Sequence, residues 1–345
     1  MSMEVMERGR IGEIYRSIEK THPRLGRIAV LETLCDVANK CLLVIGCSGT
    51  GKSAVMKYVS KNVSRKCLLL DSITVNGLKH IQTNLSDKSV SILVDDISKG
   101  GTEYSQVQTV VALAELSYSG FLKKYTQSVA IDIENFTGSV IINVQPLMLK
   151  RILRAPEFET DIRDKVIRYY HLPRPVNPNM KTPNGAIRYE YNYDDVEIPS
   201  EVYRHELYLR SLDNFKHQFT IGRAVQHLND LLKACAKLNE RRIVDVDDLK
   251  VIEFLSRNFR LEREIYYKRD LEGPRKLDVN VIPILSIIAS YGTRSLEDIM
   301  VEFQVRKSRA YEIIKENSIY AQFKDEVLIP TNYTIELLRS IGEAV

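Results

Sequence analysis

Short apolar runs alternate with amphipathic stretches through the first half of the chain. A continuous apolar run of a few residues is typical of a buried parallel strand. Between the runs, apolar residues recur every three or four positions, which predicts crossover helices. The predicted strands are 41–45, 67–71, 90–95, 139–144 and 166–172. This order predicts an α/β domain built on a five-stranded parallel sheet.

The helical periodicity also covers residues 4–39, before the first strand, with a proline- and glycine-containing break at 23–27. Further helices are predicted near 78–85 and over 105–124. Residues 128–134 could form an extra hairpin before the fourth strand, of the kind that some DNA-tracking proteins use. We favour a plain connecting loop there.

The second half of the chain begins with residues rich in Pro, Asn and Gly, a composition that disfavours regular structure. Beyond it the periodicity is helical, and Asp245 is the expected N-cap of one helix. The helices predicted here are 201–214, 217–239 and 246–260. The predicted domains are 1–173 for the N-terminal helices and the sheet, 174–200 for a linker, 201–262 for a helical domain, 263–277 for a second linker, and 278–345 for a C-terminal domain.

The C-terminal domain is predicted to hold three short helices and a hairpin. The first helix covers 277–289, and Ser295 and Asp298 have the spacing of a capping box at the start of the second. The third helix, near 306–315, has a basic outward face, and residues 320–329 have the pattern of a small β-wing. The order resembles a winged helix-turn-helix domain.

Composition narrows the class of protein. The 345 residues are 44% hydrophobic, enough for the cores of two or three domains, and the net charge is +4. No apolar run approaches the roughly 20 residues of a membrane span, and the first ten residues do not resemble a signal peptide. We therefore expect a cytoplasmic protein without a membrane partner. The cysteines, which form no C-x-x-C pair and are expected to be reduced, are Cys35, Cys41, Cys47, Cys67 and Cys235.

Residues 46–53 fit the phosphate-binding pattern G-x-x-x-x-G-K-[ST] in full. They lie between a predicted strand and a predicted helix, as the motif requires. Lys52 would neutralise the outer phosphates of a nucleotide, and the Ser53 hydroxyl can ligate a metal ion. The candidate nucleotide-binding residues are Gly46, Cys47, Ser48, Gly49, Thr50, Gly51, Lys52 and Ser53. The motif predicts that ATP and Mg²⁺ are the cofactors.

An acidic pair, Asp95-Asp96, ends the third predicted strand. In a P-loop ATPase this is where magnesium is held and water is polarised. Asp95 is therefore the predicted metal ligand and Asp96 the residue that orients or activates the attacking water. Glu103 and Glu115 are weaker candidates for the base.

With these motifs the chain resembles the AAA+ ATPases over about residues 25–260. In that family a polar residue at the tip of the fourth strand contacts the γ-phosphate or the lytic water, and Asn143 has that position. The family also inserts an arginine into the neighbouring subunit's site, and Arg163 has the matching position before the fifth strand. Arg151 and Arg154 are substitutes.

The resemblance implies that residues 201–262 form a lid over the nucleotide, with Arg223 reading the γ-phosphate. A competing family is the signalling ATPases, which also join a P-loop core to a helical domain and a winged helix. Those place an arginine at the fourth strand tip and a glycine-x-proline turn in the helical domain. Asn143 and residues 222–224 stand there instead, which favours AAA+.

The winged-helix resemblance implies contacts with double-stranded DNA through the third helix of the C-terminal domain. Residues 275–345 hold nine Lys+Arg and ten Asp+Glu, so the domain has no net attraction for DNA and a protein-contact role stays open. The candidate DNA-binding residues are Arg306, Lys307, Ser308, Arg309, Tyr311 and Lys315.

The combined prediction is an AAA+ ATPase that acts on DNA in replication, recombination or a related transaction. Its layout is similar to origin-recognition/Cdc6-type proteins and to branch-migration motors. A homo-oligomer in the ATP-bound state is expected, with a protein partner such as a helicase or recombinase. Two alternatives stay open: a regulatory switch that uses the winged helix as an internal clamp, and an ATP-dependent helicase loader or adaptor.

Overall fold

The computed structural model describes residues 9–125, 130–173, 195–267, 276–290 and 294–343. The helices and strands of the first half are α1 Gly9–Glu19, α2 Gly26–Val37, β1 Cys41–Ile45, α3 Lys52–Asn62, β2 Lys66–Leu70, α4 Val75–Ile81, β3 Val90–Val94, α5 Glu103–Ser119, β4 Leu122–Tyr125, β5 Ala130–Ile133, β6 Ser139–Val144, α6 Pro146–Arg154 and β7 Val166–Tyr170. Those of the second half are α7 Glu206–Phe215, α8 Ile221–Leu238, α9 Val246–Ser256, α10 Glu262–Ile265, β8 Tyr266–Tyr267, β9 Lys276–Leu277, α11 Val281–Ala289, α12 Leu296–Phe303, α13 Lys307–Glu316, β10 Ala321–Lys324, β11 Val327–Pro330 and α14 Asn332–Ser340.

The central sheet has five parallel strands in the order β2-β3-β6-β1-β7. The predicted parallel sheet is therefore confirmed. Strand β6 lies between β1 and β3, although it follows both in sequence. The carboxyl ends of β1, β3 and β6 consequently meet at one edge of the sheet, which brings together residues that are far apart in the chain.

Helices cover both faces of the sheet. Successive residues of β1 point to opposite faces, so Leu42 and Val44 belong to one hydrophobic cluster, and Leu43 and Ile45 to another. The first cluster includes apolar residues of α1, α2, α3 and α7 to α9, and the second includes those of α5, α6 and α11 to α14. Full burial of a leucine stabilises the fold by about 2 kcal/mol, so the clusters on both faces of the sheet contribute to its stability.

The helices of the predicted lid pack against the sheet-bearing part of the molecule. Leu228 and Leu232 of α8 share a cluster with Leu31 of α2 and Ile141 of β6. Of the predicted linker 174–200, residues 174–194 lie outside the described residues. Glu197, in its described part, exchanges backbone hydrogen bonds with Arg242 and Val244.

Two predictions between α5 and β6 are wrong. The helix predicted over 105–124 ends at Ser119, because Gly120 adopts the left-handed conformation (φ 75°) that closes a helix. The segment that follows forms a hairpin of β4 and β5 instead of a plain loop. Its residues 126–129 lie outside the described residues.

The C-terminal module, by which we mean the described residues from 276 to 343, contains four helices and a hairpin. The hairpin predicted for residues 320–329 is present as β10 and β11. The capping box predicted at Ser295 with Asp298 is present, and Asp245, the predicted N-cap, forms a second capping box with Asp248. The prediction of three helices missed α14. No helix in the described ranges has the length and apolar character needed to cross a membrane.

Candidate functional site

The loop between β1 and α3 takes its shape from its glycines. Gly49 and Gly51 have positive φ angles of 74° and 87°, which other residues adopt with strain. At Gly46, whose φ is not in that region, a Cβ atom would lie 2.6 Å from the backbone oxygen of His171. The loop therefore passes so close to the chain after β7 that only glycine fits.

Lys52 is the first residue of α3 and is buried in the loop. Its ammonium group donates to the backbone oxygens of Gly46 and Cys47, both at 2.7 Å, and to Thr50 Oγ1 at 3.3 Å. Burial lowers the pKa of Lys52 to about 8, while the charges of Cys47, Asp96, Asp95 and Glu302 act in the opposite direction.

His171, the first residue after β7, contacts the backbone of the loop. Its Nε2 lies 2.8 Å from the Thr50 backbone oxygen and donates to it, because a carbonyl can only accept. Burial lowers the pKa of His171 to about 3, so the ring is neutral. Sequence reasoning missed this residue, since it placed residue 171 in the interior of a strand.

The acidic pair ends β3 next to the loop. Asp95 Oδ1 accepts from Asn143 Nδ2 at 3.2 Å. Asp96 Oδ1 accepts from the backbone nitrogen of Ser98 at 2.9 Å and from its hydroxyl at 2.5 Å. These hydrogen bonds hold both carboxylates in defined orientations at the carboxyl edge of the sheet.

Gln145 is a further polar residue of this edge that sequence reasoning missed. Its Nε2 lies 3.4 Å from Asp96 Oδ2. Asn143, the residue predicted at the strand tip, lies one residue before the end of β6, is 2% exposed and contacts Asp95. Asn143 and Gln145 are two residues apart, and Gln145 is the first residue after the strand ends.

The loop and the acidic pair line one cavity of about 450 Å³. A cavity of this size is in the range of ligand sites in proteins. Its lining residues are His22, Ser48, Gly49, Thr50, Gly51, Lys52, Ser53, Ala54, Asp95, Asp96, Lys99, Asn143, Val144 and Gln145. All the predicted phosphate-loop residues from Ser48 to Ser53 therefore border the same space as the predicted catalytic carboxylates.

The donor atoms in this cavity suit Mg²⁺. Ser53 supplies an exposed hydroxyl and Asp95 a half-buried carboxylate, and hard oxygen donors are what Mg²⁺ prefers. Few protein ligands are enough, because Mg²⁺ keeps several waters and binds the phosphates of its substrate. The residues that would hold the ion are thus Ser53 and Asp95.

Glu32 of α2 lies close to this site without lining it. The residue is buried, and neither carboxyl oxygen has a hydrogen-bond partner among the described residues. Burial, and then the charge of Asp95, raise the pKa of Glu32 well above its ordinary value. Burial in the layer beneath the acidic pair therefore favours the neutral form of Glu32.

The structure does not bring Arg223 to the cavity. Its guanidinium lies 4.6 Å from the centre of the Tyr118 ring, and it donates to Gln226 at 2.7 Å. Thr220, just before α8, binds Asp164, which precedes β7. A five-residue strand is roughly 15 Å long, and Arg223 lies at the amino edge of the sheet, opposite the phosphate loop.

Two of the other predicted arginines, Arg151 and Arg163, form ion pairs at the surface, and Arg154 is exposed. Arg163 contacts Glu159 at 2.6 Å and is about one-third exposed, so a second subunit can reach it. Arg151 forms an ion pair with Glu103. Two weaker candidates for the base are thus in ion pairs, since Glu115 contacts Lys165.

The candidate DNA-binding residues lie on α13 or at its N-cap and are exposed. Lys307 forms an ion pair with Glu326, and Arg309 pairs with Glu312 at 2.8 Å and with Glu316. The Tyr311 ring packs edge-on against Phe323 with 4.9 Å between centres. Arg306, Ser308 and Lys315 complete the exposed set.

Comparisons with known proteins give a limited result. No family model and no curated protein matches the chain. Among solved structures, the chain is similar to a putative ATPase from Cytophaga hutchinsonii at 15% identity and a TM-score of 0.40. The match covers 71% of this chain and 84% of that one.

Proposed function

We propose that this protein binds ATP with Mg²⁺ and hydrolyses it. The observation that carries the proposal is the cavity in which a complete phosphate loop faces two carboxylates from a neighbouring strand. The amino end of α3 and the loop N–H groups suit an anion there. Hydrolysis would be an AAA+-type reaction, in which positioning and charge neutralisation supply most of the rate.

Each residue has a role in that reaction. Lys52 turns from the loop carbonyls to the outer phosphates, and Mg²⁺, held by Ser53 and Asp95, supplies charge neutralisation when bound. Asp96, held by Ser98 and Gln145, orients the attacking water and takes its proton as the oxygen bonds to the γ-phosphorus. The bond to the bridging oxygen breaks, and ADP and phosphate leave.

Steady-state hydrolysis tests this assignment. The wild type should release phosphate from ATP, Lys52→Ala should lose binding and turnover, and Asp96→Asn should bind ATP but lose turnover by about 10²-fold or more. Lys57→Ala, an exposed residue one turn further along α3, is the matched control. Turnover that survives Lys52→Ala would show that this cavity is not the catalytic site.

The C-terminal module supports a proposed action on double-stranded DNA. Helices α11, α12 and α13 with the β10–β11 hairpin have the order of a winged helix, and the basic residues of α13 are exposed. Arg306 and Lys315 would contact phosphates. Arg306→Ala should weaken binding to duplex DNA. It should also reduce the slope of log affinity against log salt concentration by about one. Unchanged affinity would count against this surface.

A second candidate function is a regulatory switch with slow turnover. The observation that favours it is that Lys307 and Arg309 are neutralised by acids of the same module. In that case the module makes contacts within the chain or with a protein partner. Duplex DNA should then change neither the ATP turnover nor the electrophoretic mobility of the protein. A DNA-directed ATPase, in contrast, should be stimulated by duplex DNA.

A further inference from the structure

Two arginines next to the phosphate cavity hold the end of the C-terminal module. Arg24 and Arg27 lie in the turn and first residues of α2, and His22 of the same turn lines the cavity. Arg27 Nη1 lies 3.0 Å from Glu343 Oε1, and Arg24 Nη2 lies 3.3 Å from Glu343 Oε2. We call these three residues, Arg24, Arg27 and Glu343, the latch.

The side chains of the latch are largely buried. Arg27 is 8% exposed, donates to the Ile341 backbone oxygen at 2.8 Å, and stacks on the Phe254 ring of α9 at 4.4 Å. Arg24 donates to the backbone oxygen of Ala289, at the end of α11. Charge-assisted hydrogen bonds of this kind are strong when little water reaches them. The C-terminal module is thus tied to the N-terminal turn at the ends of two of its helices.

The latch and the phosphate loop share neighbours. Leu25 lies between the two arginines in sequence, and its side chain would be 2.7 Å from a Cβ placed on Gly51. On the other side of the loop, Ser286 of α11 donates to the Leu172 backbone oxygen at 2.7 Å, next to His171, which binds Thr50. A movement of the loop would therefore displace Leu25, which lies between the two latch arginines, and His171, which is next to the residue that α11 contacts.

The charges of the module oppose a bound triphosphate. Glu302 of α12 is close enough to Lys52 to raise its pKa, against the larger effect of burial. The positive charges of Lys52, Arg24 and Arg27 all act on His171, so the latch and the loop lie in one electrostatic neighbourhood. Phosphate oxygens entering it would repel both Glu302 and Glu343, whereas neither arginine of the latch lines the cavity.

We infer that the latch closes the nucleotide-free protein and that binding of a nucleoside triphosphate at the phosphate loop opens it. The inference depends on the proposed ATP binding and adds how that site is regulated. Because coupling between two sites is reciprocal, a latch that nucleotide weakens must itself weaken nucleotide binding. Breaking the latch therefore raises the affinity for ATP.

The test is a titration with a fluorescent ATP analogue and Mg²⁺, comparing the wild type with Glu343→Gln. We expect the dissociation constant to fall by about 5- to 150-fold in the variant, the usual range of such coupling. Glu336→Gln, at an exposed acid on α14, is the matched control and should bind like the wild type. In the wild type, amide hydrogen exchange in residues 335–343 should become faster when ATP is added. In Glu343→Gln it should be fast even without ATP.

The outcomes separate this inference from the proposed function. Nucleotide binding that depends on Lys52 but is equal in the wild type and Glu343→Gln overturns the latch alone. Absence of nucleotide binding in both the wild type and Glu343→Gln overturns both proposals. Should Glu343→Gln fail to fold, judged by circular dichroism, Arg24→Gln removes the more exposed arm and must raise the affinity in the same direction.

Discussion

The chemistry of the proposed site depends on how single residues are buried. Lys52 is charged yet enclosed, and its ammonium is satisfied by loop carbonyls. Glu32 is enclosed without a hydrogen-bond partner among the described residues, and burial raises its pKa and favours its neutral form. The same desolvation therefore lowers the pKa of a base and raises that of an acid within one region of the molecule.

The affinity for ATP should fall as the pH rises above about 8. The pKa of Lys52 is lowered to about 8 in the free protein, and phosphates favour its charged form, so binding raises the pKa again. Above pH 8 Lys52 of the free protein is mostly deprotonated, so nucleotide binding must be accompanied by uptake of a proton. This requirement lowers the affinity for ATP by up to about tenfold per pH unit. Calorimetric titration in buffers of different ionisation enthalpy should detect near-zero uptake at pH 7 and close to one proton at pH 9. Lys52→Arg stays charged and should remove the dependence, and an affinity that is flat from pH 7 to 9 in the wild type would contradict the prediction.

Glu32→Met should stabilise the protein. The substitution removes an unpaired buried carboxyl and keeps a similar volume, which we expect to raise the free energy of unfolding by about 1–3 kcal/mol at pH 7. The folded state holds the Glu32 proton more tightly than the unfolded state, so the difference should shrink as the pH falls toward the ordinary pKa of glutamate. Chemical denaturation measures both effects. Glu13→Met, at an exposed acid of α1, is the control and should change stability by less than about 0.5 kcal/mol; a large loss of stability in Glu32→Met would refute the assignment.

At the scale of elements, close approaches between the phosphate loop and its neighbours decide what each position tolerates. Gly49 and Gly51 share a left-handed backbone, but they differ in surroundings. A Cβ on Gly49 would have no atom within 4 Å, whereas one on Gly51 would overlap Leu25. Strain from the backbone alone can therefore be separated from strain caused by packing.

Gly51→Ala should disable the loop, and Gly49→Ala should be tolerated better. Both substitutions cost about 1–2 kcal/mol for an alanine in the left-handed region. Gly51→Ala must in addition displace Leu25, which moves the first turn of α3 and with it Lys52. We expect ATP affinity to fall by at least tenfold more in Gly51→Ala than in Gly49→Ala, measured by calorimetry on proteins that unfold cooperatively. Equal losses in the two variants would mean that the Leu25 contact has no effect on binding.

At the scale of the whole molecule, the carboxyl and amino edges of the sheet carry different functional residues. The carboxyl edge holds the cavity, the acidic pair and, through Leu25 and His171, the contacts to the C-terminal module. The amino edge holds Arg163 and Arg223. An arginine at the amino edge cannot serve the cavity of its own subunit, so any catalytic role for Arg163 requires a second copy of the chain.

Mixing of inactive variants tests that role. If Arg163 completes a neighbour's site, Arg163→Ala should lose about 10³-fold in turnover, and turnover per subunit of the wild type should rise with protein concentration. Lys52→Ala and Arg163→Ala, each inactive alone, should recover activity when mixed, because one interface then has both residues. Arg210→Ala, an exposed arginine paired with Glu206, is the control. No recovery, together with turnover that is independent of concentration, would assign Arg163 to its surface pair with Glu159.

Local patterns in the sequence were enough to predict the five parallel strands, a glycine-rich turn between the first strand and its helix, the C-terminal hairpin, the capping box at Ser295 and the N-cap at Asp245. Each depends on residues that are neighbours in the chain: an apolar run, a glycine spacing, or a cap and its third residue. The helix over 105–124 was extended too far, because a single glycine ended it. The hairpin of β4 and β5 was missed because its pairing depends on contacts with the rest of the fold.

Only the tertiary structure decided which distant residues meet. Strand β6 lies between β1 and β3, and this order brings Gln145 to Asp96 and Asn143 to Asp95. The packing of α8 places Arg223 at the opposite edge from its expected position. Arg27 reaches Glu343 across 316 positions of the chain. A periodic pattern specifies which face of an element is buried, but not what covers that face, and this is why the site and the latch appear only in three dimensions.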